Sequence, residues 1–279
     1  KAPAQPRDAA RLFVYDTASD TVVFDTFAHI GAHLPTQSLL VMNNTKVVPA
    51  RLWLKKPTGG KIEVLLMMNE YRIGDRSIKG VVDRKVDVGT ALSFHSGATL
   101  TVVKQEEQFF FFQPSVDIAT LFALLQQEGV TPIPPYIKES PLDEATLRAE
   151  YQSVLAKYPA SVAAPTASLH FTESLLEQLT RDGHERTEVT LHVGAGTFAP
   201  IDETNFENKK LFTEYYEVTE EAATTINQAK DARRPIIPVG TTAMRTIESA
   251  AHAHRIHESQ DGTNIFIFPP YEFQIADGL

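Results

Sequence analysis

The chain has 279 residues, 43% hydrophobic and 22% charged, and its 26 Lys and Arg against 35 Asp and Glu give a formal net charge of −9. That balance excludes an intrinsically disordered chain, and with no apolar run near the roughly 18 residues a bilayer span needs, no transmembrane helix or membrane association is expected. The absence of cysteine excludes disulfides, zinc ribbons, iron–sulfur clusters and thiol nucleophiles and fits a cytoplasmic setting, while the net charge argues against broad, non-specific nucleic-acid binding and leaves room for a local basic patch.

Two β-rich runs in RLFVYDTASDTVVF, residues 11–24, flank a turn signal at Asp16-Thr17-Ala18-Ser19-Asp20. The apolar run 39–42 reads as a buried strand entering the polar loop Asn43-Asn44-Thr45. The segment 46–63 then carries Lys46, Arg51, Lys55, Lys56 and Lys61 with no acid before Glu63. From there to about residue 113, short strands separated by glycine turns have the spacing of an all-β module. Its last strand, 109–112, is FFFF and reads as buried on both faces.

Helical periodicity begins at DIATLFALLQQEG, and Pro132, Pro134 and Pro135 then break regular structure. Beyond them helices and strands alternate. Helices are expected over LDEATLRAEYQSVLAKY, after an N-cap at Thr172, after an N-cap at Thr219 and over 242–254. Strands are expected over 186–193, 235–239 and 265–268, with Val189, Leu191 and Val193 on one face and His192 on the other. The expected fold is an α/β domain, a mixed sheet covered by helices, with an inserted all-β barrel domain. The α/β domain comprises 1–55 plus 136–279, and the barrel 56–135.

Four segments carry candidate chemistry. In IIPVGTT a strand runs through Gly240, Thr241 and Thr242 straight into a helix bearing Arg245. Free backbone N–H groups at such a helix start bind anions, and an ordinary βα turn uses the same residue types. In LHVGAGTF, Gly194 and Gly196 leave room for close backbone approach beside His192 and Thr197. In SVAAPTASLHFT, small residues including Thr166 lead to a helix start presenting His170. The basic run ending Pro57-Thr58-Gly59-Gly60-Lys61 lacks the Walker spacing but suits phosphate contacts. His252, His254 and His257 lack a carboxylate at ligand spacing, so no metal site is expected.

In order and spacing these segments together resemble the S-adenosylmethionine:tRNA ribosyltransferase-isomerase family of queuosine biosynthesis. The resemblance runs through 7–12, 43–52, 55–66, 132–138, 151–152, 161–172, 189–198, 214–218, 239–250 and 265–279. It departs at Asn44, Lys46, Ser168 and Pro270, where the family usually has Asp, Arg, Gly and Gly. The family normally continues past the position that Leu279 occupies here.

The resemblance implies transfer and isomerisation of the ribosyl moiety of S-adenosylmethionine onto 7-aminomethyl-7-deazaguanine at the tRNA wobble position. The products are epoxyqueuosine, adenine and methionine. It implies S-adenosylmethionine as co-substrate, tRNA as partner, no metal and no permanently bound cofactor; a monomer is expected. His170, His192 and Glu214 are then candidate bases for the carbon made acidic by the sulfonium. Thr166, Gly194, Gly196, Thr197, Gly240, Thr241, Thr242 and Arg245 are candidate substrate contacts. Arg51, Lys55, Lys56 and Lys61 are candidates for tRNA phosphates, and Tyr136 for stacking on a base. Two alternatives stand beside this reading: a relative that uses S-adenosylmethionine on another acceptor, and a non-catalytic tRNA-binding module.

Overall fold

The structure is a computed structural model and describes residues 3–134, 137, 140–194, 196 and 201–279. The hairpin β1 (Arg11–Asp16) and β2 (Thr21–Thr26) comes first, then β3 (Leu39–Asn43) and β4 (Thr45–Val47). Six strands follow: β5 (Arg51–Lys55), β6 (Lys61–Leu66), β7 (Ile78–Val82), β8 (Ala91–Ser93), β9 (Thr99–Glu106) and β10 (Phe109–Pro114). After α1 (Ile118–Glu128) and α2 (Glu144–Glu150) come β11 (Tyr158–Ser161), α3 (Glu173–Arg181), β12 (Glu185–His192) and α4 (Glu203–Asn208). The chain goes on through β13 (Lys210–Val218), α5 (Glu220–Asp231), β14 (Ile236–Pro238), α6 (Gly240–Ser249), β15 (Ala251–His252), β16 (Arg255–Ile256) and β17 (Ser259–Ile265).

The strands β5 to β10 close into an antiparallel barrel in the order β10-β7-β6-β5-β8-β9. Alternation fills it: Leu52, Leu54, Ile62, Val64, Leu66, Leu92, Leu100 and Phe112 are all at 1% exposure or less, each worth about 1.5–3 kcal/mol of burial. Leu121, Leu124 and Leu125 of α1 join this core. Since β5 is a barrel strand, the barrel starts at Arg51, ahead of the sequence-derived boundary at 56. The FFFF strand is not buried on both faces. Phe110 and Phe112 point inward, while Phe109 and Phe111 lie outside under Lys79 and Lys104, because successive side chains of a strand point to opposite faces.

The second unit is the mixed five-stranded sheet β14-β3-β12-β13-β17. Strands β14, β3 and β12 are mutually parallel, and β13 and β17 add antiparallel. Helices α5 and α6 cover one face through Ala222, Ile226, Ala243 and Ile247, and α3 packs on the other through Leu175, Leu176 and Leu179. Thr172 and Thr219 cap α3 and α5 as their side-chain chemistry dictates.

Three elements are shorter or displaced relative to the sequence periodicity. The helix expected over LDEATLRAEYQSVLAKY ends at Glu150, because the Arg7 guanidinium caps the carbonyls of Ala149, Glu150 and Gln152. Gln152 then brackets the backbone of Val47 with both ends of its amide. Helix α6 stops at Ser249, where the hairpin β15–β16 turns through Ala253 and His254 at positive φ. The strand expected over 265–268 ends at Ile265; Phe266 and Phe268 instead stack with Phe206 of α4 at 5.2 and 5.9 Å.

Candidate active site

The C-terminal ends of the parallel strands β14, β3 and β12 lie together, the position where α/β sheets present ligands. From β14 the chain passes directly into α6. Helices α1 to α5 each have an Asp or Thr side chain capping the N-terminus, but α6 begins at Val239 with no side-chain cap. Its first N–H groups are therefore open to a ligand. Gly240 is required there: its φ is +84°, and a Cβ would stand 2.9 Å from Cβ of Ala167.

Ala167 belongs to the 3-10 turn Thr166–His170, the opposite wall. A cavity of about 660 Å³ lies between, and Thr166, His170, Gly240, Thr241, Thr242, Arg245 and Glu214 all line it. The exposed His170 ring sits 5.2 Å from that of Phe27. Arg11, Phe27 and Tyr151 are also on the wall. None of the four candidate motifs contains these three, although Arg11 and Tyr151 lie within segments of the family resemblance.

Glu214 lies at the deep end, 3% exposed, just after a register irregularity between β13 and β17. Such irregularities re-aim side chains. Its carboxylate pairs with the Arg245 guanidinium, and Oε1 accepts the Gly194 N–H at 2.9 Å. Arg245 also reaches the carbonyls of Phe212 and Thr263, both at 3.4 Å. A buried pair of this kind fixes both partners, since removing either strands the other's charge at a cost of about 3–5 kcal/mol.

His192 does not join this cavity. Its ring points away from the helix-covered face, as the alternation requires, and Nδ1 stands 2.7 Å from Thr45 Oγ1. Thr45 in turn contacts Ser161, whose hydroxyl accepts the Val193 N–H. Burial, then the charge of Arg72, lowers His192 to a pKa of about 4. Gly194 and Gly196 serve close packing: Cβ atoms there would meet the Asn69 side chain at 2.7 Å and the Phe212 ring at 2.5 Å. Thr197 and Tyr136 lie outside the described residues.

The basic residues divide. Arg51 is tied to Glu63 at 3.4 Å and to the Ile133 carbonyl at 3.4 Å. Lys55 and Lys61 face each other across the β5–β6 hairpin, about 13 Å along β5 from Arg51. Lys56 beside them donates to the Lys85 carbonyl. Among the described residues no helix is long and apolar enough to cross a membrane, and no cluster of three His, Asp or Glu has metal-ligand geometry.

A family profile described as "Queuosine biosynthesis protein" matches residues 1–279. The S-adenosylmethionine:tRNA ribosyltransferase-isomerase of Carboxydothermus hydrogenoformans is 39% identical over 99% of this chain and 80% of its own length. The proteins of that name from Thermotoga petrophila and Macrococcus caseolyticus are 38% and 39% identical over 99% of this chain and 80% and 81% of theirs. The crystal structure of a Thermotoga maritima S-adenosylmethionine tRNA ribosyltransferase aligns with 99% of this chain and 77% of its own, at a TM-score of 0.47 and 26% identity. The chain belongs to the queuosine biosynthesis family, the enzymes known as S-adenosylmethionine:tRNA ribosyltransferase-isomerases.

Proposed function

We propose that this enzyme moves and isomerises the ribosyl moiety of S-adenosylmethionine onto 7-aminomethyl-7-deazaguanine at the tRNA wobble position, giving epoxyqueuosine and releasing adenine and methionine. The observation that carries the reading is the single cavity into which Thr166, His170, Glu214, Gly240, Thr241, Thr242 and Arg245 converge from three separate segments. The open start of α6 receives the methionine carboxylate, with Arg245 adding charge. His170 is the base that takes the proton from the carbon next to the sulfonium: it is the imidazole on the cavity wall, and it is exposed. Glu214 orients Arg245, and His192, held neutral behind Thr45, supports the strand end.

Lys55, Lys56 and Lys61 grip tRNA phosphates, in a cytoplasmic monomer. Trp53, 46% exposed between Arg51 and Lys55, offers a stacking face on the same side of β5. The test is incubation with S-adenosylmethionine and an anticodon stem-loop carrying the aminomethyl base, followed by mass spectrometry. The expected result is an epoxyqueuosine mass together with free adenine. His170→Ala is expected to lower kcat by about 100- to 10,000-fold, with the donor KM little changed. Adenine release with an unmodified stem-loop indicates another acceptor, and full activity of His170→Ala removes the imidazole base.

A further inference from the structure

A second cavity of about 660 Å³ lies between the outer face of the barrel and β13, and it meets the first at Glu214, which lines both. Group transfer needs donor and acceptor held side by side, and among the described residues Glu214 alone lines both cavities. On the barrel wall, the Lys79 ammonium stands 2.9 Å from Glu70 Oε2 and 4.0 Å from the centre of the Phe109 ring. Glu70 and Lys79 make no other side-chain hydrogen bond among the described residues. Their side chains are about a quarter exposed, enough to be reached from the cavity. Opposite them, Phe212 is 45% exposed and offers apolar surface for a stacked base. Beside the floor, the Asn69 amide is 1% exposed and has no hydrogen-bond partner among the described residues.

We propose that this second cavity is the acceptor-base subsite, and that Glu70 and Lys79 read the edge of the base. The assignment rests on the donor and acceptor reading above. A guanine-type edge carries an N–H and an exocyclic amine, both donors, next to a carbonyl acceptor. A carboxylate takes the two donors and an ammonium donates to the carbonyl, so the pair already presents the complementary order. An adenine-type edge, with a ring nitrogen in place of the N–H, meets the carboxylate lone pairs unfavourably. Sites that hydrogen-bond a substrate group reject the analogue lacking it, because their own polar groups are left unpaired.

Two stem-loops test this with the full chain, one bearing 7-aminomethyl-7-deazaguanine and one bearing the same base without its 2-amino group. Affinity and kcat/KM are measured for wild type, Glu70→Gln, Lys79→Met and Lys79→Arg. Wild type is expected to prefer the complete base by about 100-fold or more. Glu70→Gln is expected to bring that preference within about threefold while leaving the donor KM in place; Lys79→Met, which removes the carbonyl contact common to both bases, is expected to weaken both stem-loops together, and Lys79→Arg to weaken them less. Wild-type turnover with a preference that Glu70→Gln leaves intact overturns the subsite alone. A wild type that discriminates in binding through Glu70 but releases no adenine overturns the transfer reading and keeps the subsite. Loss of donor affinity in Glu70→Gln without loss of base preference also overturns the subsite.

Discussion

His192 shows how a residue's surroundings decide its chemistry. Its ordinary pKa of 6.5 falls to about 4 because burial disfavours the imidazolium and Arg72 repels it. The unfolded chain therefore binds a proton near pH 6.5 that the folded chain refuses until about pH 4. Stability contributed by this group is complete above pH 6.5 and declines as pH falls toward 4, by roughly 3 kcal/mol in all. Denaturant midpoints measured between pH 4 and 7 should show that slope in wild type and a flatter one in His192→Asn. An unchanged slope in the variant means other groups carry it. The sequence shows the histidine and its face of the strand, but not the neutralising surroundings, because burial is a tertiary property and Arg72 lies 120 positions away. The Glu70–Lys79 pair was hidden too: Glu70 ends the 3-10 turn Met68–Glu70 and Lys79 stands on β7, and no motif joins them.

At the scale of elements, α6 is tied down at a point the sequence does not advertise. Glu248 is 3% exposed, and its carboxylate accepts the backbone N–H groups of Gln274, Ile275 and Ala276 at 2.9 to 3.0 Å. Tyr271 stands 3.4 Å from it and, through burial first and then this carboxylate, is pushed up to about 12. Asp277 continues the attachment by pairing with both backbone groups of Ile236, the first residue of β14. The segment thus straps α6 to β14 and places Leu279 on the cavity wall. Glu248→Ala leaves three amides without acceptors. It is expected to destabilise by about 3 kcal/mol or more in chemical denaturation, with a raised donor KM. Glu248→Gln keeps carbonyl acceptance and should lose less. The start of α6 was legible because strand, glycine and two threonines are adjacent in the chain. The strap was not, because an irregular segment has no periodicity to read.

At the scale of the molecule, an excess of acid coexists with a basic hairpin tip. Lys55 and Lys61 are exposed and adjacent across β5–β6, with Lys56 at the turn. Replacing all three by Ala should weaken stem-loop binding and reduce the slope of log affinity against log salt by about 2. Fluorescence titration between 50 and 200 mM salt measures it, and an unchanged slope places the phosphate contacts elsewhere. Barrel and mixed sheet were both legible, since alternation and turn spacing are local properties. Where the barrel begins was less so, because Arg51-Leu52-Trp53-Leu54-Lys55 reads the same whether it ends one unit or opens the next.

Arg51 and Val130 exchange both backbone hydrogen bonds, at 3.3 and 2.7 Å, so the chain enters and leaves the barrel at one knot of contacts. The sheet must bring Asn43 to Leu191, 148 positions on. Once the barrel has closed, the roughly 80 residues between its ends drop out of that path, and halving a loop lowers its closure cost by about 0.6 kcal/mol. The order of assembly is thereby biased: the barrel folds as a local event, and the speed at which the α/β sheet then finds its register depends on a core it does not share.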